Sequence, residues 1–369
     1  MFYGQWEVLD ALGSGGQGTV YLARRKNELL ARPELPVTFA QWISSISGSV
    51  NTDHKRKCVE GIFDTIRELS KQVFAQNFAL KRLREFTDIA TQQKALHRLE
   101  KEVSAATGVD HASLIKIFDS NLGEGWFVME YHPTILANHL GRTKGDLLGS
   151  LVAFRPIVEA VTLLHKRGIV HRDIKPDNVF VASDGRLVLG DLGLAIEMDD
   201  HSGRISDTYE NVGTRDWMPA WAMGMRLEDV RPTFDVFSLG KLLWAMVSGR
   251  QKLRLWYHHR PEFELEAMFP DCPSMCFARE ILDYCVVEDE DNCSPGAEDL
   301  LARVDAVINA LRQSGQIPAR GHIKCRVCGM GEYSEVVRDD PGYRIIACGY
   351  CGNMQHFDKP GIRPGWKPR

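Results

Sequence analysis

Residues 171–178 read His171-Arg172-Asp173-Ile174-Lys175-Pro176-Asp177-Asn178, and thirteen positions after Asn178 comes Asp191, heading Asp191-Leu192-Gly193. Between them, Val179 to Val181 and Leu187 to Leu189 are short apolar runs on either side of Ser183-Asp184-Gly185, the pattern of a β-hairpin. A hairpin returns the chain to its starting end, so Asn178 and Asp191 are expected together there. The set offers a carboxylate able to accept a proton (Asp173), a cation (Lys175) and two oxygen donors suited to a hard divalent ion (Asn178 and Asp191). An unrelated loop meeting five polar identities at these spacings by chance is the weaker reading.

Upstream, Trp6 to Leu12 alternates like a strand and leads through Gly13-Ser14-Gly15-Gly16-Gln17-Gly18-Thr19-Val20 into a second strand at Tyr21 and Leu22. Glycines spaced in this way ahead of a helix would suggest a dinucleotide fold. Between two strands they suggest a flap whose backbone amides can approach phosphate with no Cβ in the way. Ala79-Leu80-Lys81 follows, then a helical stretch from Ala90 to Thr107 that carries Glu100 and Glu102. Two residues apart on a helix, these glutamates point to different faces, so only one can look toward Lys81.

Together these stretches resemble the Ser/Thr protein kinase family over residues 4–312. The resemblance implies an α+β, two-lobed protein-kinase fold. Its small antiparallel β lobe plus helix covers 4–130, and its large, mainly helical lobe covers 131–312. It implies transfer of the ATP γ-phosphate to a serine or threonine of a protein substrate with magnesium, autophosphorylation included. Carried over by position, Asp173 is the base and Lys175 stabilises the transferred phosphate. Lys81 grips the nucleotide phosphates and pairs with Glu102, which stands nine residues before His111. Asn178 and Asp191 hold magnesium. Leu12, Gly13, Ser14, Gly15, Gly16, Gln17, Gly18, Val20 and Ala79 cover the nucleotide. Met129 backs the adenine, and the backbone of Glu130 to His132 meets the base edge. His171 packs structurally, and Asp235 anchors the catalytic loop from below, unless it is an ordinary helix N-cap. Lys175 and Thr214 favour serine or threonine as acceptor. The activation segment spans Leu194 to about Trp221, with Thr208 ahead of Ser206 and Tyr209 as the phosphorylation position. Phosphate there would pair with Arg172, or Glu210 would supply a permanent charge instead.

Two departures stand out. The family's Asp-Phe-Gly is Asp191-Leu192-Gly193, which keeps an apolar middle residue. Its Ala-Pro-Glu is Pro219-Ala220-Trp221, and the arginine that would pair with that glutamate is missing from Asp291-Asn292-Cys293-Ser294-Pro295. Losing both charges is far less harmful than losing one, so an apolar contact is expected in their place. The competing readings are an ATP-binding pseudokinase scaffold and a small-molecule kinase of aminoglycoside type.

Residues 26–75 exceed what a hairpin needs and read as an insertion. Val59, Ile62, Phe63, Ile66, Leu69, Val73 and Phe74 form an apolar helical stripe opposite Glu60, Asp64 and Arg67, which predicts an amphipathic helix, with a shorter second one over Phe39 to Ile46; the pair is expected to pack on the small lobe, or else to offer a protein partner a regulatory or dimerising surface. Past a linker at 313–321, residues 322–358 carry Cys325-x-x-Cys328 and Cys348-x-x-Cys351 with nineteen residues between the inner pair. Four thiolates so spaced suit one tetrahedral zinc ion, and Tyr333 to Val337 and Tyr343 to Ala347 alternate like the strands of a zinc ribbon. This module is expected to bind a protein partner or to stabilise the chain, and residues 359–369 form a basic tail.

At 369 residues the chain exceeds one ordinary core, and 44% hydrophobic residues with a net charge of -4 bring no bias toward nucleic acid. Nine cysteines, an odd number, suit a reducing compartment. No apolar run approaches the ~20 residues of a membrane-spanning helix, and the amino terminus lacks a signal pattern, so a cytoplasmic location is expected.

Overall fold

The computed structural model describes residues 1–15, 18–26, 60–62, 64–66, 76–197, 216–223, 229–314, 333–336, 343–348 and 354–358. The chain forms two compact units, Met1–Val103 with Lys116–Tyr131, and Ser104–Ile115 with His132–Arg369.

In the first unit, strands β1 (Phe2–Tyr3), β2 (Trp6–Ser14), β3 (Gly18–Arg25), β4 (Asn77–Leu83), β5 (Ile117–Asn121) and β6 (Trp126–Glu130) form one antiparallel sheet in the order β1-β2-β3-β4-β6-β5. Period-two alternation divides β4 between two cores. Phe78 and Leu80 join Tyr3, Trp6, Ala23, Trp126 and Val128 on one face. On the other face Leu83 and Phe127 pack with Ala95, Leu99 and Val103 of helix α1 (Ile89–Gly108). Asp88 starts that helix by accepting the Thr91 N–H at 2.8 Å, an N-cap bond. Strands β3 and β4 pair directly from Gly18 opposite Leu83 to Arg24 opposite Asn77, so the inserted residues lie within a hairpin connection. Of the insertion, residues 60–62 and 64–66 are helical, as expected. Ile62 and Ile66 are exposed, however, so the expected packing of the apolar stripe is not made at these two positions. The rest of 27–75 lies outside the described residues.

The second unit is built on helices α2 (Leu147–Lys166), α3 (Thr233–Ser248), α4 (Cys276–Cys285) and α5 (Ala297–Ser314). Every residue of α3 is buried, and the helix ends at Gly249 with φ 70°. A left-handed glycine is a common helix stop because it carries no Cβ penalty. Ser104–Ile115 belongs to this unit rather than to the small lobe. The reason lies in the backbone: Ile115 N–H bonds the Leu189 carbonyl, and Leu189 N–H bonds Ser113, each at 2.8 Å. Contrary to the sequence expectation, α2 is long and apolar enough to cross a membrane by length and composition. It is a core helix, with Leu151, Phe154, Ile157, Val158, Val161 and Leu164 all fully buried. Interior packing makes the same demand for apolar residues as lipid does.

Strands β9 (Tyr333–Val336), β10 (Tyr343–Cys348) and β11 (Met354–Asp358) form an antiparallel sheet with Cys348 opposite Tyr333. The two expected strands are there with a third. Cys325, Cys328 and Cys351 lie outside the described residues, as does the 359–369 tail; of the linker expected at 313–321, residues 313 and 314 end helix α5 and the rest lies outside the described residues.

Candidate active site

The catalytic-loop residues are fixed from within. Asp235, fully buried on α3, accepts the backbone N–H of His171 on Oδ2 and that of Arg172 on Oδ1, each at 2.8 Å. His165 Nε2 meets Oδ2 at 2.9 Å. Burial acts most strongly to raise the Asp235 pKa, but the His165 hydrogen bond and charge, with His171, outweigh it and leave the carboxyl below its ordinary value. Since Asp235 lies inside the first turn of α3, where Pro232 is the N-cap residue, it serves the loop and does not cap the helix.

The loop that Asp235 holds is bent sharply. Arg172 has φ 68° and Asp191 φ 56°, left-handed conformations that cost a non-glycine residue of order 1–3 kcal/mol. The bends set a polar cluster. Lys175 Nζ lies 2.8 Å from both Asp173 carboxylate oxygens, and Asn178 Nδ2 donates to Asp173 Oδ2 at 2.7 Å and to its carbonyl at 2.8 Å. His171, wholly buried, donates from Nε2 to the Gly190 carbonyl at 3.2 Å, while its Nδ1 accepts the Asp173 N–H at 3.3 Å.

Strand β7 (Val179–Val181) pairs with β8 (Leu187–Leu189), Val179 opposite Leu189, and Gly190 N–H bonds the Asn178 carbonyl at 2.9 Å. Asn178 and Asp191 thus stand at the same hairpin end. With its Nδ2 engaged twice by Asp173, Asn178 has its side-chain oxygen to offer a cation, and Asp191 is exposed. This oxygen donor set fits magnesium. Leu192, 1% exposed, fills the apolar role of the family's phenylalanine.

In the first unit, Lys81 Nζ lies 2.8 Å from both carboxylate oxygens of Glu102, with the two side chains 13% and 6% exposed. Glu100 is exposed and turned toward His97 instead. Val20 is the cross-strand partner of Lys81, and Ala79 stands two residues before Lys81, so the three share one sheet face. Ala79 is also the partner of Met129. Leu12 falls at the register shift between Ala11 and Gly13, and Gly15 N–H bonds the Gly18 carbonyl at 2.8 Å. Gly16 and Gln17 lie outside the described residues. Glu130 N–H is bonded to the Lys116 carbonyl at 2.8 Å, which takes that one group out of the expected base-edge contacts. The unit boundary falls between Tyr131 and His132.

At the altered carboxy end of the activation segment, Trp221 is half-buried and packs edge-on against Phe237, ring centroids 5.2 Å apart. It lies beside the cluster of Val170, Met218, Ala222, Val230 and Phe234. Ser294, within the stretch that lacks the arginine, is buried. The expected apolar contact at Trp221 is therefore made. Ser206, Thr208, Tyr209, Glu210 and Thr214 lie outside the described residues. Sequence reasoning passed over Lys241, a buried lysine between Gly240 and Leu242; a lone cation in an apolar helical run was the signal.

Comparison with known proteins places a match to the protein kinase domain model over residues 53–313. The glycine flap precedes that span, so its reading rests on its own geometry. The chain is 27% identical over 228 residues to the serine/threonine-protein kinase PAK mbt of Drosophila melanogaster, covering 61% of this chain and 34% of the relative. It is 27% identical over 250 residues to a probable serine/threonine-protein kinase, SCO3848, of Streptomyces coelicolor, covering 63% and 36%. With the serine/threonine-protein kinase PknB of Mycobacterium tuberculosis it shares 25% over 183 residues, covering 47% and 28%. The chain thus spans about a third or less of the length of these relatives.

Proposed function

The chain belongs to the protein kinase family, and from that premise we propose that it is an ATP- and magnesium-dependent serine/threonine kinase that phosphorylates a protein substrate and itself. The observation that carries the reading is the Asp173 carboxylate, gripped by Lys175 and Asn178 on a loop that Asp235 fixes.

In this reading the acceptor hydroxyl gives its proton to Asp173 as its oxygen bonds to the γ-phosphorus, and ADP departs with the electrons of the broken P–O bond. Asn178 aims one Asp173 oxygen, while Lys175 holds the carboxylate and stands ready to balance charge on the transferring phosphoryl group. Lys81, oriented by Glu102, binds the nucleotide phosphates. Gly13 to Gly18 cover them, and Val20, Ala79 and Met129 flank the base with backbone from Glu130 to His132. Magnesium, held by Asn178 and Asp191, would neutralise phosphate charge.

The terminal module is proposed to bind one zinc ion through Cys325, Cys328, Cys348 and Cys351 and to recruit a protein partner or stabilise the chain. A reducing, cytoplasmic location fits free thiols. The test uses radiolabelled ATP with a generic protein and with the kinase itself as acceptors, comparing wild type with Asp173→Asn and Lys81→Ala. Loss of transfer in both variants is expected. Transfer equal to wild type would defeat the assignment, and binding of ATP with no transfer in wild type would indicate the scaffold reading.

A further inference from the structure

Helix α3 is buried along its whole length, and in its middle stands Lys241, 2% exposed. An isolated cation in an apolar interior is costly, so its persistence there calls for specific partners. It has two. Its Nζ donates to the backbone carbonyl of Asp216, and it lies 5.0 Å from the centroid of the Phe237 ring, one turn back on the same face. The opposite side of this contact set belongs to the activation segment. Ser238 Oγ donates to the Trp217 carbonyl at 2.9 Å, and Trp221 packs edge-on against the same Phe237 ring. Phe237, Ser238 and Lys241 therefore fasten Asp216, Trp217 and Trp221, the stretch in which the family's glutamate is replaced.

We infer that Lys241 is a positioning residue which, with Ser238 and Phe237, fixes the carboxy end of the activation segment in place of the missing carboxylate–guanidinium pair. The job is the same but the geometry differs. An ion pair would hold the segment by a side chain at position 221, whereas Lys241 and Ser238 hold two consecutive carbonyls of its backbone, and Trp221 needs only to pack. A neutral residue of similar length at 241 would fill the volume and release the Asp216 carbonyl. The inference rests on the kinase reading for its effect on phosphate transfer, but the fastening itself is a property of the folded chain.

Burial pushes the Lys241 ammonium down to about 8, with the Asp216 carboxylate opposing that shift. The Asp216 carboxylate is itself paired with Lys252 at 3.2 Å. The cation that holds the carbonyl is thus present below that pH and lost above it.

The experiment compares wild type, Lys241→Met and Ser238→Ala in two measurements. The first is amide hydrogen exchange without nucleotide, which reads the fastening whether or not phosphate is transferred. In Lys241→Met the amides of Ala222 and Met223, which bond the Pro219 and Ala220 carbonyls, are expected to exchange about fivefold faster or more, with α3 itself unchanged. Ser238→Ala, which leaves no buried cation to accommodate, is expected to act in the same direction and keeps the test open if Lys241→Met folds poorly. Unchanged exchange over 217–223 in both variants, or a rise spread over α3 as well, overturns the inference. The second measurement is steady-state transfer to a serine peptide without groups titrating between pH 7 and 9. The acceptor KM is expected to rise by about fivefold in Lys241→Met with the ATP KM unchanged. In wild type it is expected to rise as pH passes about 8, a step absent in Lys241→Met. Equal effects on both KM values, or the same pH profile in the variant, count against the inference. If wild type transfers nothing, the kinase reading falls while the exchange result still decides the fastening.

Discussion

Asp235 holds Arg172 in a left-handed backbone conformation: its Oδ1 accepts the Arg172 N–H at 2.8 Å, where φ is 68°. The same carboxylate takes the His171 N–H and faces His165, so three donors converge on two oxygens. Asp235→Asn replaces one oxygen by an NH2 that must oppose a donor in a fully buried site. Stability is expected to fall by about 3 kcal/mol in urea unfolding, and transfer by roughly a hundredfold as Asp173 is displaced. A wild-type midpoint and rate would show that the loop is held by something else. The acid limb follows from the same contact. The folded-state pKa of Asp235 lies below its unfolded value, so its contribution is full above about pH 4 and is lost as pH falls through the lower folded pKa. Asp235→Asn is expected to flatten that part of the stability–pH curve.

The catalytic loop was legible because its chemistry is written in side-chain identity at fixed spacing: Asp173, Lys175, Asn178 and Asp191 need no long-range information to be noticed. Helix geometry put Glu100 and Glu102 on different faces, but the choice of Glu102 came from the family resemblance, through its place nine residues before His111. What sequence hid was tertiary. That Ser104–Ile115 packs with the large lobe depends on hydrogen bonds to a strand some 75 residues later, at Leu189. That α2 is an interior helix cannot be told from apolarity alone, since lipid and protein core select the same residues. Lys241 stands alone as a cation in an apolar helical run, but what it holds, the Asp216 carbonyl, lies 25 residues away and is set by tertiary packing.

Lys81 and Glu102 are a nearly buried pair, each side chain under 15% exposed, so their energetics should be asymmetric. Lys81→Met takes the ammonium away from a nearly buried carboxylate and is expected to cost about 3 kcal/mol, whereas Lys81→Met with Glu102→Leu should recover most of it. A thermal-unfolding double-mutant cycle measures this. If the double variant is as unstable as the sum of the singles, the two side chains are not coupled. Neither variant should transfer phosphate.

Thiol chemistry should sort the cysteines by burial. Burial, with neighbouring negative groups, raises the Cys285 thiol well above its ordinary value and pushes Cys293 up to about 12. Both therefore stay protonated through pH 9 and are expected to resist alkylation in the native protein, while half-buried Cys272 and Cys276 react first. Chelation is expected to release one zinc ion per chain and expose Cys325, Cys328, Cys348 and Cys351 to the same reagent. Peptide mass spectrometry before and after chelator reads both. Labelling of Cys285 in the folded chain would mean that α4 opens readily, and no metal in freshly purified protein would remove the zinc proposal.

Gly13, Gly15 and Gly18 of the flap should divide by mechanism. A Cβ on Gly18 would come 2.1 Å from the Arg82 carbonyl oxygen, an impossible approach to backbone where β3 pairs with β4. A Cβ on Gly13 or Gly15 meets nothing within 4 Å. Gly18 is therefore required by the protein itself, whereas Gly13 and Gly15 have room within it, and in the proposed reading their bare backbone serves the nucleotide phosphates. Gly18→Ala is expected to lower the melting temperature through about 2 kcal/mol of lost pairing at the strand end. Gly13→Ala and Gly15→Ala should leave the melting temperature within about 1 °C, because surface substitutions without clashes lie within about 0.5 kcal/mol. They should weaken ATP binding severalfold by calorimetry, since the added methyl intrudes on the phosphates. Unchanged ATP affinity in both would place the nucleotide elsewhere than under this flap. A fall in melting temperature for Gly13→Ala equal to that for Gly18→Ala would show that the open space beside Gly13 is filled in solution by the protein's own chain.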